Sequence, residues 1–395
     1  MAKINPNFQL LRKEYIFPVI EQKVLELKNL FPGTSPINLG IGDIALPLAQ
    51  SIVRAIQLAT QEMGQKEGMR GYGPHNGYLF LRKAIADHEF SHLKITPDDI
   101  FVSDGANSDA VNLLELFSQD NVVGIMDPTY PAYLDASILA GKKKIVALPC
   151  LEENTFFPLP PQEHCDILYL CSPNNPTGVA MTRDQLSLWV NYALEHEAII
   201  VFDHAYEAFI TSADVPKSIF EIEGADRCAI ELRSFSKTAG FTGLRCAYAV
   251  IPKNIRVSVD GTQASLSALW NRRQAAKSNG VAYPIQRGAE AVYTPVGRQE
   301  TRAQVAAYLD RAKELRTGLI ALGHTCYGGI DAPYIWWKTP RNLSSWEFFD
   351  LLLKECHLIS IPGKGFGPTG EGYVRLSTFT TADVTAATLT QLKKL

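Results

Sequence analysis

The sequence predicts an α/β fold: a large domain with a mostly parallel sheet and helices on both faces, plus a smaller α+β domain. Apolar runs alternate with helical patterns from about residue 100 to residue 250, as in sheets whose parallel strands are joined by helices. From about residue 302, a long helical stretch precedes short apolar runs, which is typical of a small α+β unit. We therefore expect an N-terminal arm packing on the small domain (1–45), a large domain (46–285) and a small C-terminal domain (286–395).

Composition and charge narrow the class of protein. The chain has 395 residues, 46% of them hydrophobic and 20% charged, which is ordinary for a globular protein. The net charge of −3 provides no basic field for nucleic acid or membranes, and no run of about eighteen apolar residues predicts a membrane span. The N-terminus lacks the apolar core of a signal peptide, and the seven cysteines form no C-x-x-C pair. We expect a cytoplasmic protein with reduced cysteines and no metal site.

The first predicted strand leads to a candidate anion site. The β-rich run 100–103 reaches a glycine, and a helical pattern begins soon after it. Free backbone amides at the start of a helix attract anions, so this turn is predicted to cradle a phosphate. The alternative is an ordinary helix N-cap formed by Ser103 or Asp104.

The next two predicted strands end in rigid turns. The run 122–126 leads into Asp-Pro-Thr-Tyr, which places Tyr130 where its ring can stack on a flat ligand. The run 166–170 leads into a turn with two prolines and a glycine, which holds the side-chain amide of Asn175 in one place. A plain structural turn is the alternative, since Asn-Pro pairs are common in turns.

The fourth predicted strand ends in an acid. The apolar run 198–202 is followed by Asp203, and ligands of open α/β sheets bind at the carboxyl ends of strands. A buried carboxylate needs a cationic partner, which a protonated pyridine nitrogen would supply. Tyr206 could donate to an oxygen on the same ring. The alternative is that Asp203 caps a helix after the strand.

Lys237 is the most informative single position. It lies beside Ser234 and Ser236 and before a glycine-rich turn, and Arg245 follows eight positions later. A lysine amine can bond to a carbonyl cofactor, while serine hydroxyls and an arginine fork can bind a phosphate on that cofactor. A surface loop with a solvated lysine is the alternative.

A separate glycine-rich segment, residues 40–42, imitates the fingerprint of a nicotinamide dinucleotide site. That fingerprint requires a helix to open at the glycines. Pro47 makes an unbroken helix there unfavourable, because a proline restricts the residue before it. We therefore do not expect a nicotinamide enzyme.

Taken in order, the motifs resemble the fold-type I (class I and II) aminotransferases that use pyridoxal 5'-phosphate. The resemblance extends along nearly the whole chain and is closest to the branch of LL-diaminopimelate aminotransferases. The segments that carry it beyond the motifs above are 15–17, 38–43, 70–74, 127–133, 278–280 and 362–375.

The resemblance implies an aminotransferase with a role for each motif residue. The catalytic residues would be Lys237, which bonds to the cofactor aldehyde and moves a proton, Asp203, which pairs with the pyridine nitrogen, and Tyr206, which bonds the ring oxygen. The other residues that hold the cofactor would be Tyr72 reaching from the neighbouring subunit, Ala106, Asn107, Tyr130, Asn175, Ser234, Ser236 and Arg245. Substrate would lie among Tyr15, Gly42, Tyr130, Asn175, Asn279 and Arg375, with Arg375 binding its α-carboxylate.

The resemblance also implies partners and leaves alternatives. It implies amino acid and keto acid substrates with glutamate and 2-oxoglutarate as one pair, a homodimer with shared active sites, and a step in lysine biosynthesis. Asn107 replaces a lysine of the branch and His75 replaces an acid, and both of those groups help to recognise the far end of diaminopimelate. One alternative is therefore an aminotransferase of the same branch with a different donor, lysine or another amino acid. A non-catalytic regulator that retains the fold is a further alternative.

Overall fold

The computed structural model describes residues 1–11, 16–30, 33 and 35–395. The helices are α1 (Ile16–Leu30), α2 (Gln50–Met63), α3 (Leu79–Glu89), α4 (Ala106–Leu113), α5 (Ala132–Leu139), α6 (Arg183–Glu195), α7 (Phe235–Thr238), α8 (Leu266–Lys277), α9 (Tyr283–Ala291), α10 (Pro295–Ala321), α11 (Ser345–Cys356) and α12 (Ala382–Leu392). None of these described helices has the length and apolar character that a membrane span needs.

The strands in the same described residues are β1 (Ile37–Asn38), β2 (Ile100–Ser103), β3 (Val123–Asp127), β4 (Ile145–Pro149), β5 (Ile167–Cys171), β6 (Ile199–Asp203), β7 (Ala229–Ser234), β8 (Ala247–Val250), β9 (Arg256–Val259), β10 (Thr262–Ser265), β11 (Cys326–Gly328), β12 (Tyr334–Lys338), β13 (Leu358–Ile359), β14 (Ile361–Pro362) and β15 (Tyr373–Ser377).

The central sheet has seven strands in the order β2-β8-β7-β6-β5-β3-β4. The neighbouring pairs from β7 to β4 are parallel, whereas β8 is antiparallel to both β2 and β7. Every residue of β3, β5, β6 and β7 is buried. Burial on both faces explains why three of these strands appear in the sequence as apolar runs instead of alternating patterns.

Both faces of the central sheet are covered by helices. Along β2, Phe101 belongs to one apolar core, and Ile100 and Val102 belong to another, because successive side chains point to opposite faces. The first core includes residues of α4, α5, α6 and α8, and the second includes residues of α2, α3 and α9. The predicted α/β class, with helices on both faces of a mostly parallel sheet, is confirmed.

A smaller antiparallel sheet lies in the C-terminal part of the chain. Its order is β11-β12-β15-β14, and α10, α11 and α12 contribute to the apolar core on one of its faces. Strand β1 pairs in parallel with β13, so the N-terminal part of the chain contacts this C-terminal part. The boundaries at residues 45 and 285 stay a prediction.

The predicted strands lie close to the observed ones, and one pair of strands was not predicted. The runs 122–126, 166–170 and 198–202 coincide with β3, β5 and β6 to within one residue at each end. The hairpin of β9 and β10 is absent from the sequence prediction. Its turn, Asp260-Gly261, has φ angles of +48° and +78°, as a tight two-residue hairpin turn requires.

The glycine-rich segment 40–42 opens no helix. Residues 39–49 form no helix or strand, and α2 begins only at Gln50. The expectation that this segment is no dinucleotide fingerprint therefore agrees with the local structure.

Candidate active site

A cavity of about 370 Å³ lies at the carboxyl ends of β3, β5, β6 and β7. Parallel strands of an open α/β sheet present their carboxyl ends at one edge, which is where ligands bind in such folds. The structure brings most of the predicted site residues to this cavity: Gly42, Ala106, Asn107, Tyr130, Asn175, Asp203, Tyr206, Ser234, Ser236, Lys237, Arg245 and Arg375.

Lys237 lies on the short helix α7, directly after β7, and its amine faces the cavity. Its Nζ donates to the carbonyl oxygen of Gly42 and lies 5.2 Å from the ring centroid of Phe379. Burial lowers the pKa of Lys237 to about 8; Asp43 opposes this shift, and the cationic Arg375 and Arg245 add to it. A solvated surface lysine, the alternative, is therefore wrong. Near neutral pH, far more of this amine is uncharged than of an exposed lysine, and the uncharged form can act as a nucleophile or base.

Asp203 lies at the end of β6 with only 8% of its surface exposed. Its carboxylate accepts hydrogen bonds from the Tyr133 hydroxyl and, at 3.1 Å, from the backbone N–H of Ala205. Both donors are neutral, and burial raises the pKa of Asp203 above its ordinary value. A cation bound in the cavity would stabilise the charged form of this carboxylate.

The start of α4 forms one end of the cavity. Its N-cap is Gly105, and no side chain of the described residues caps it, so the alternative of a cap by Ser103 or Asp104 is wrong. A Cβ atom on Gly105 would overlap the Arg245 guanidinium, which shows how closely that cation approaches the helix start. Ser234 and Ser236 line the same cavity, with the Ser234 hydroxyl accepting from the Ser236 N–H at 3.1 Å. Backbone amides, hydroxyls and a guanidinium together make an anion site.

Arg375 comes from the small sheet and reaches the cavity from the opposite side. Its side chain is 4% exposed on β15, and burial lowers its pKa. Nη1 donates to Asn175 Oδ1 and Nη2 donates to the Gly40 carbonyl oxygen, each at 2.6 Å. Its guanidinium also lies 4.6 Å from the ring centroid of Tyr334. A guanidinium held in this way presents a planar fork to a carboxylate.

Tyr206 and Gly42 complete the wall near Arg375. The hydroxyls of Tyr206 and Tyr334 are 2.8 Å apart and hydrogen-bonded. A Cβ atom on Gly42 would overlap the Tyr334 hydroxyl, so a glycine is required there for the backbone to pass this ring.

Two of the described residues that were predicted for the site are not among those lining this cavity. Tyr72 is 91% exposed, and Asn279 is also exposed. Tyr15 lies outside the described residues. His75, the substituted position, is partly buried, and its Nε2 lies 3.0 Å from Asn271 Oδ1.

Two aromatic residues of the site were not predicted as site residues. Tyr133 binds Asp203, and Tyr334 binds Tyr206. Tyr133 lies near the start of α5 and only three positions after Tyr130, in the segment that follows β3, and this closeness in sequence was the available signal. Tyr334 lies on β12 of the small sheet, and no local pattern connects it to Tyr206.

Similarity to known proteins shows the family to which this chain belongs. The family described as aminotransferase class I and II matches residues 34–392. The chain belongs to the class I and II aminotransferases. It is 46% identical to the LL-diaminopimelate aminotransferase of Methanosphaera stadtmanae and 46% identical to that of Parabacteroides distasonis, in each case over 100% of this chain and 99% of the relative.

The solved structures agree with the sequence relatives. The L,L-diaminopimelate aminotransferase of Chlamydomonas reinhardtii superposes with a TM-score of 0.94 at 37% identity, over 99% of this chain and 98% of that one. The prediction of a fold-type I aminotransferase close to that branch is confirmed. The alternative of a non-catalytic regulator is not supported, because this aminotransferase belongs to a family of transaminases.

The cofactor of this aminotransferase is pyridoxal 5'-phosphate, as the family implies. The residues present fit it. Among the described residues, the donors to the buried Asp203 carboxylate are neutral, which suits pairing with a protonated pyridine nitrogen. The start of α4 beside Arg245, with its free backbone amides, suits a phosphate. The lowered pKa of Lys237 suits an amine that must bond to an aldehyde.

Proposed function

We propose that this aminotransferase takes the amino group of LL-diaminopimelate and passes it to 2-oxoglutarate, forming glutamate, as a step of lysine biosynthesis. The donor is supported by the names of two relatives that are 46% identical over the whole chain. The reaction type is carried by one observation: Lys237, Asp203 and Arg375, from two different sheets, face the same cavity.

The residues that would hold the cofactor divide by the part of it they contact. Lys237 would bond to its carbonyl, Asp203 would pair with the ring nitrogen, and Tyr130 would stack on the ring. Asn175 and Tyr206 would bond the ring oxygen. The phosphate would be held by the amides of Ala106 and Asn107, by the hydroxyls of Ser234 and Ser236, and by Arg245. When bound, pyridoxal phosphate supplies a carbonyl that combines with amines and a ring that accepts electrons.

Lys237 is the group that moves the proton. Its Nζ has a pKa lowered to about 8, so the neutral amine forms far more readily than in an exposed lysine, whose pKa lies near 10.4. The neutral Nζ takes the proton from the α-carbon of the substrate and later returns it. Arg375 and Arg245 favour this neutral form because a second cation nearby disfavours an ammonium.

Arg375 fixes the orientation of the substrate. The guanidinium is buried, and its Nε is a buried polar atom without a hydrogen-bond partner among the described residues. A substrate α-carboxylate would bind this fork in a bidentate manner. Because Arg375 and Asn175 are already hydrogen-bonded, the binding geometry is set before substrate arrives, and the α-carbon is directed toward Lys237.

A donor comparison tests the proposal. The ratio of kcat/KM for LL-diaminopimelate to kcat/KM for lysine, measured with 2-oxoglutarate as acceptor, should exceed tenfold, about the effect of losing one charge-assisted contact. A ratio near one would reject diaminopimelate as the donor while leaving the aminotransferase reaction in place.

A different donor is the second candidate, and Asn107 and His75 favour it. Asn107 is exposed in the cavity wall, where its neutral amide cannot replace the charged contact of a lysine. His75 is partnered with Asn271. If this candidate is right, Asn107→Lys should raise the kcat/KM for diaminopimelate by roughly tenfold or more. Asn254→Lys, a surface change far along the chain, is the matched control and should leave it unchanged.

We also infer a cytoplasmic homodimer with shared active sites. Tyr72 has 91% of its surface exposed in the single chain, which suits a side chain that completes the site of a second subunit. The seven cysteines are all buried and free, which suits a reducing compartment.

A further inference from the structure

One carboxylate connects the large sheet to the small one. Glu152 lies in the short turn after β4 and accepts hydrogen bonds from the Tyr327 hydroxyl at 2.5 Å, the Lys338 ammonium at 2.6 Å and the Tyr373 hydroxyl at 2.7 Å. These donors come from β11, β12 and β15, which are adjacent in the small sheet. The bonds from Lys338, Tyr327 and Tyr373 lower the pKa of Glu152 to about 2, so the carboxylate stays charged at neutral pH.

The donors to Glu152 lie on the same face of the small sheet as Arg375. Lys338 is paired with Tyr373 across β12 and β15, and directly paired residues point to one face. Tyr373 and Arg375 are two positions apart on β15, so their side chains also share a face, about 7 Å apart along the strand. The hydrogen bond from Tyr373 to Glu152 therefore acts on the strand that carries Arg375.

An apolar contact accompanies the polar one. Phe156, four residues after Glu152, is 3% exposed, and its ring centroid lies 4.8 Å from that of Tyr327 and 5.6 Å from that of Tyr373. Phe156 and Thr155 have φ angles of +59° and +53°, which non-glycine residues rarely adopt. Burial of Phe156 thus offsets a strained turn, which indicates that the turn is held in one geometry against the small sheet.

We propose that Glu152 is a positioning residue that sets the place of Arg375 relative to the residues of the large sheet. Arg375 is hydrogen-bonded at 2.6 Å to Asn175, which lies in the turn after β5 of the large sheet. The Glu152 carboxylate binds side chains from three adjacent strands of the small sheet and so determines whether the hydrogen bond between Arg375 and Asn175 can form. The inference rests on the proposed role of Arg375 in binding the substrate α-carboxylate.

A second attachment keeps the small sheet in place when Glu152 is changed. Asp331, between β11 and β12, accepts from the N–H groups of Thr211 and Ser212 at 2.6 and 2.9 Å and from the Ser212 hydroxyl at 2.6 Å. Removing the Glu152 carboxylate should therefore shift the small sheet without detaching it. The expected loss is in the placement of Arg375, and the fold should remain.

The test compares Michaelis constants for the amino donor and the keto acid acceptor in the holoenzyme. Both substrates carry an α-carboxylate, so Glu152→Ala should raise both KM values by a similar factor, on the order of tenfold. The cofactor content and the absorbance spectrum should stay unchanged, because the cofactor residues belong to the large sheet. Glu152→Gln and Tyr373→Phe should change both KM values in the same direction by less. Glu153→Gln, the exposed neighbour, is the matched control.

The variant Arg375→Lys distinguishes the positioning role of Glu152 from the role of Arg375 in binding the substrate α-carboxylate. If Arg375→Lys raises both KM values and neither Glu152→Ala nor Glu152→Gln does, the positioning role of Glu152 is overturned and the role of Arg375 stands. If Arg375→Lys leaves both KM values unchanged, both ideas fall. A lower cofactor content and a lower melting temperature in the Glu152 variants, with unchanged KM values, would show a merely structural role for Glu152. This result would also overturn the inference.

Discussion

The reactivity of the Lys237 amine depends on its burial as well as on its position after β7. Its pKa is lowered to about 8, chiefly by burial. The neutral fraction of a lysine rises as the pH passes through its pKa, and only the neutral amine attacks an aldehyde. The pH at which Lys237 becomes reactive is therefore a direct report on its surroundings.

We predict that cofactor-free protein captures pyridoxal phosphate covalently at a rate that rises with pH and has its midpoint near pH 8. Rapid mixing followed by absorbance measures this rate between about pH 6.5 and pH 10. Lys237→Ala is the control and should show no such absorbance change. A midpoint above about pH 10, as for an exposed lysine, would contradict the buried environment.

Replacing Asp203 should affect the stability of the cofactor-free protein and the activity of the holoenzyme differently. Its pKa is raised by burial, so in cofactor-free protein the folded state loses stability as the pH rises above the carboxyl's ordinary value of 3.8. Asp203→Asn should therefore leave the melting temperature of cofactor-free protein unchanged or higher at neutral pH. The same change should lower kcat on the order of a hundredfold, since the charge that faces the cofactor ring is lost.

Calorimetry of cofactor-free Asp203→Asn and steady-state kinetics of the same variant loaded with cofactor check the two effects. Asp87→Asn, which removes a carboxylate from an exposed ion pair with Lys83, should change neither. A lower melting temperature with normal kcat would show that Asp203 serves the fold and not the reaction.

The sequence predicted the polar residues of the site better than their aromatic partners. Asp203 ends β6, Asn175 lies in the turn after β5 and Lys237 lies in the short helix after β7. At each of these places the sequence changes from apolar to polar residues. Tyr133 and Tyr334 lie within a helix and a strand, where an aromatic residue is typical of any core. Their contacts with Asp203 and Tyr206 arise only from tertiary packing.

Among the elements, the buried parallel strands were the most predictable. β3, β5 and β6 are apolar over nearly their full length because both of their faces are covered. The hairpin of β9 and β10 was missed because its strands are largely exposed and polar. Its turn residues, Asp260-Gly261, were the available signal.

The turn after β5 must approach the small sheet closely. Gly178 has φ +67°, and a Cβ atom there would overlap the Tyr334 carbonyl oxygen and lie 3.1 Å from the Gly328 Cα. Gly178 lies three positions after Asn175 in this turn, so a shift of the turn away from the small sheet would also move Asn175 away from Arg375. The close approach therefore links the conformation of this turn to the carboxylate-binding residues.

We predict that Gly178→Ala destabilises the protein by about 1–3 kcal/mol and lowers activity, because overpacking and an unfavourable φ act together. Thermal melting and kcat/KM measure the two effects. Gly243→Ala is the matched control, since a Cβ atom there meets nothing within 4 Å. Equal melting temperatures for the two variants would show that the sheets are free to separate at this point.

At the scale of the whole molecule, a single chain leaves part of the predicted site unassembled. Tyr72 is 91% exposed, and neither it nor Asn279 lines the cavity that contains Lys237. The sequence identified these residues only through their family pattern, since no strand or helix period connects them to the cavity. If the proposed homodimer is right, they belong to the site of the other subunit.

Mixing two inactive variants tests this sharing. Lys237→Ala and Tyr72→Ala subunits, unfolded and refolded together, should form mixed dimers in which one site has both intact residues. Random pairing would restore about a quarter of the wild-type sites. Each variant refolded alone is the control. If the mixture shows no activity beyond the sum of its parts, Tyr72 does not act across the subunits.

Reduction of the holoprotein with borohydride, followed by peptide mass spectrometry, locates the lysine that carries the cofactor. The proposed role of Lys237 predicts that the mass of reduced pyridoxal phosphate is attached to the peptide containing this residue, in close to one copy per chain. Attachment to a different lysine, or an unmodified Lys237 peptide in catalytically active protein, would contradict it.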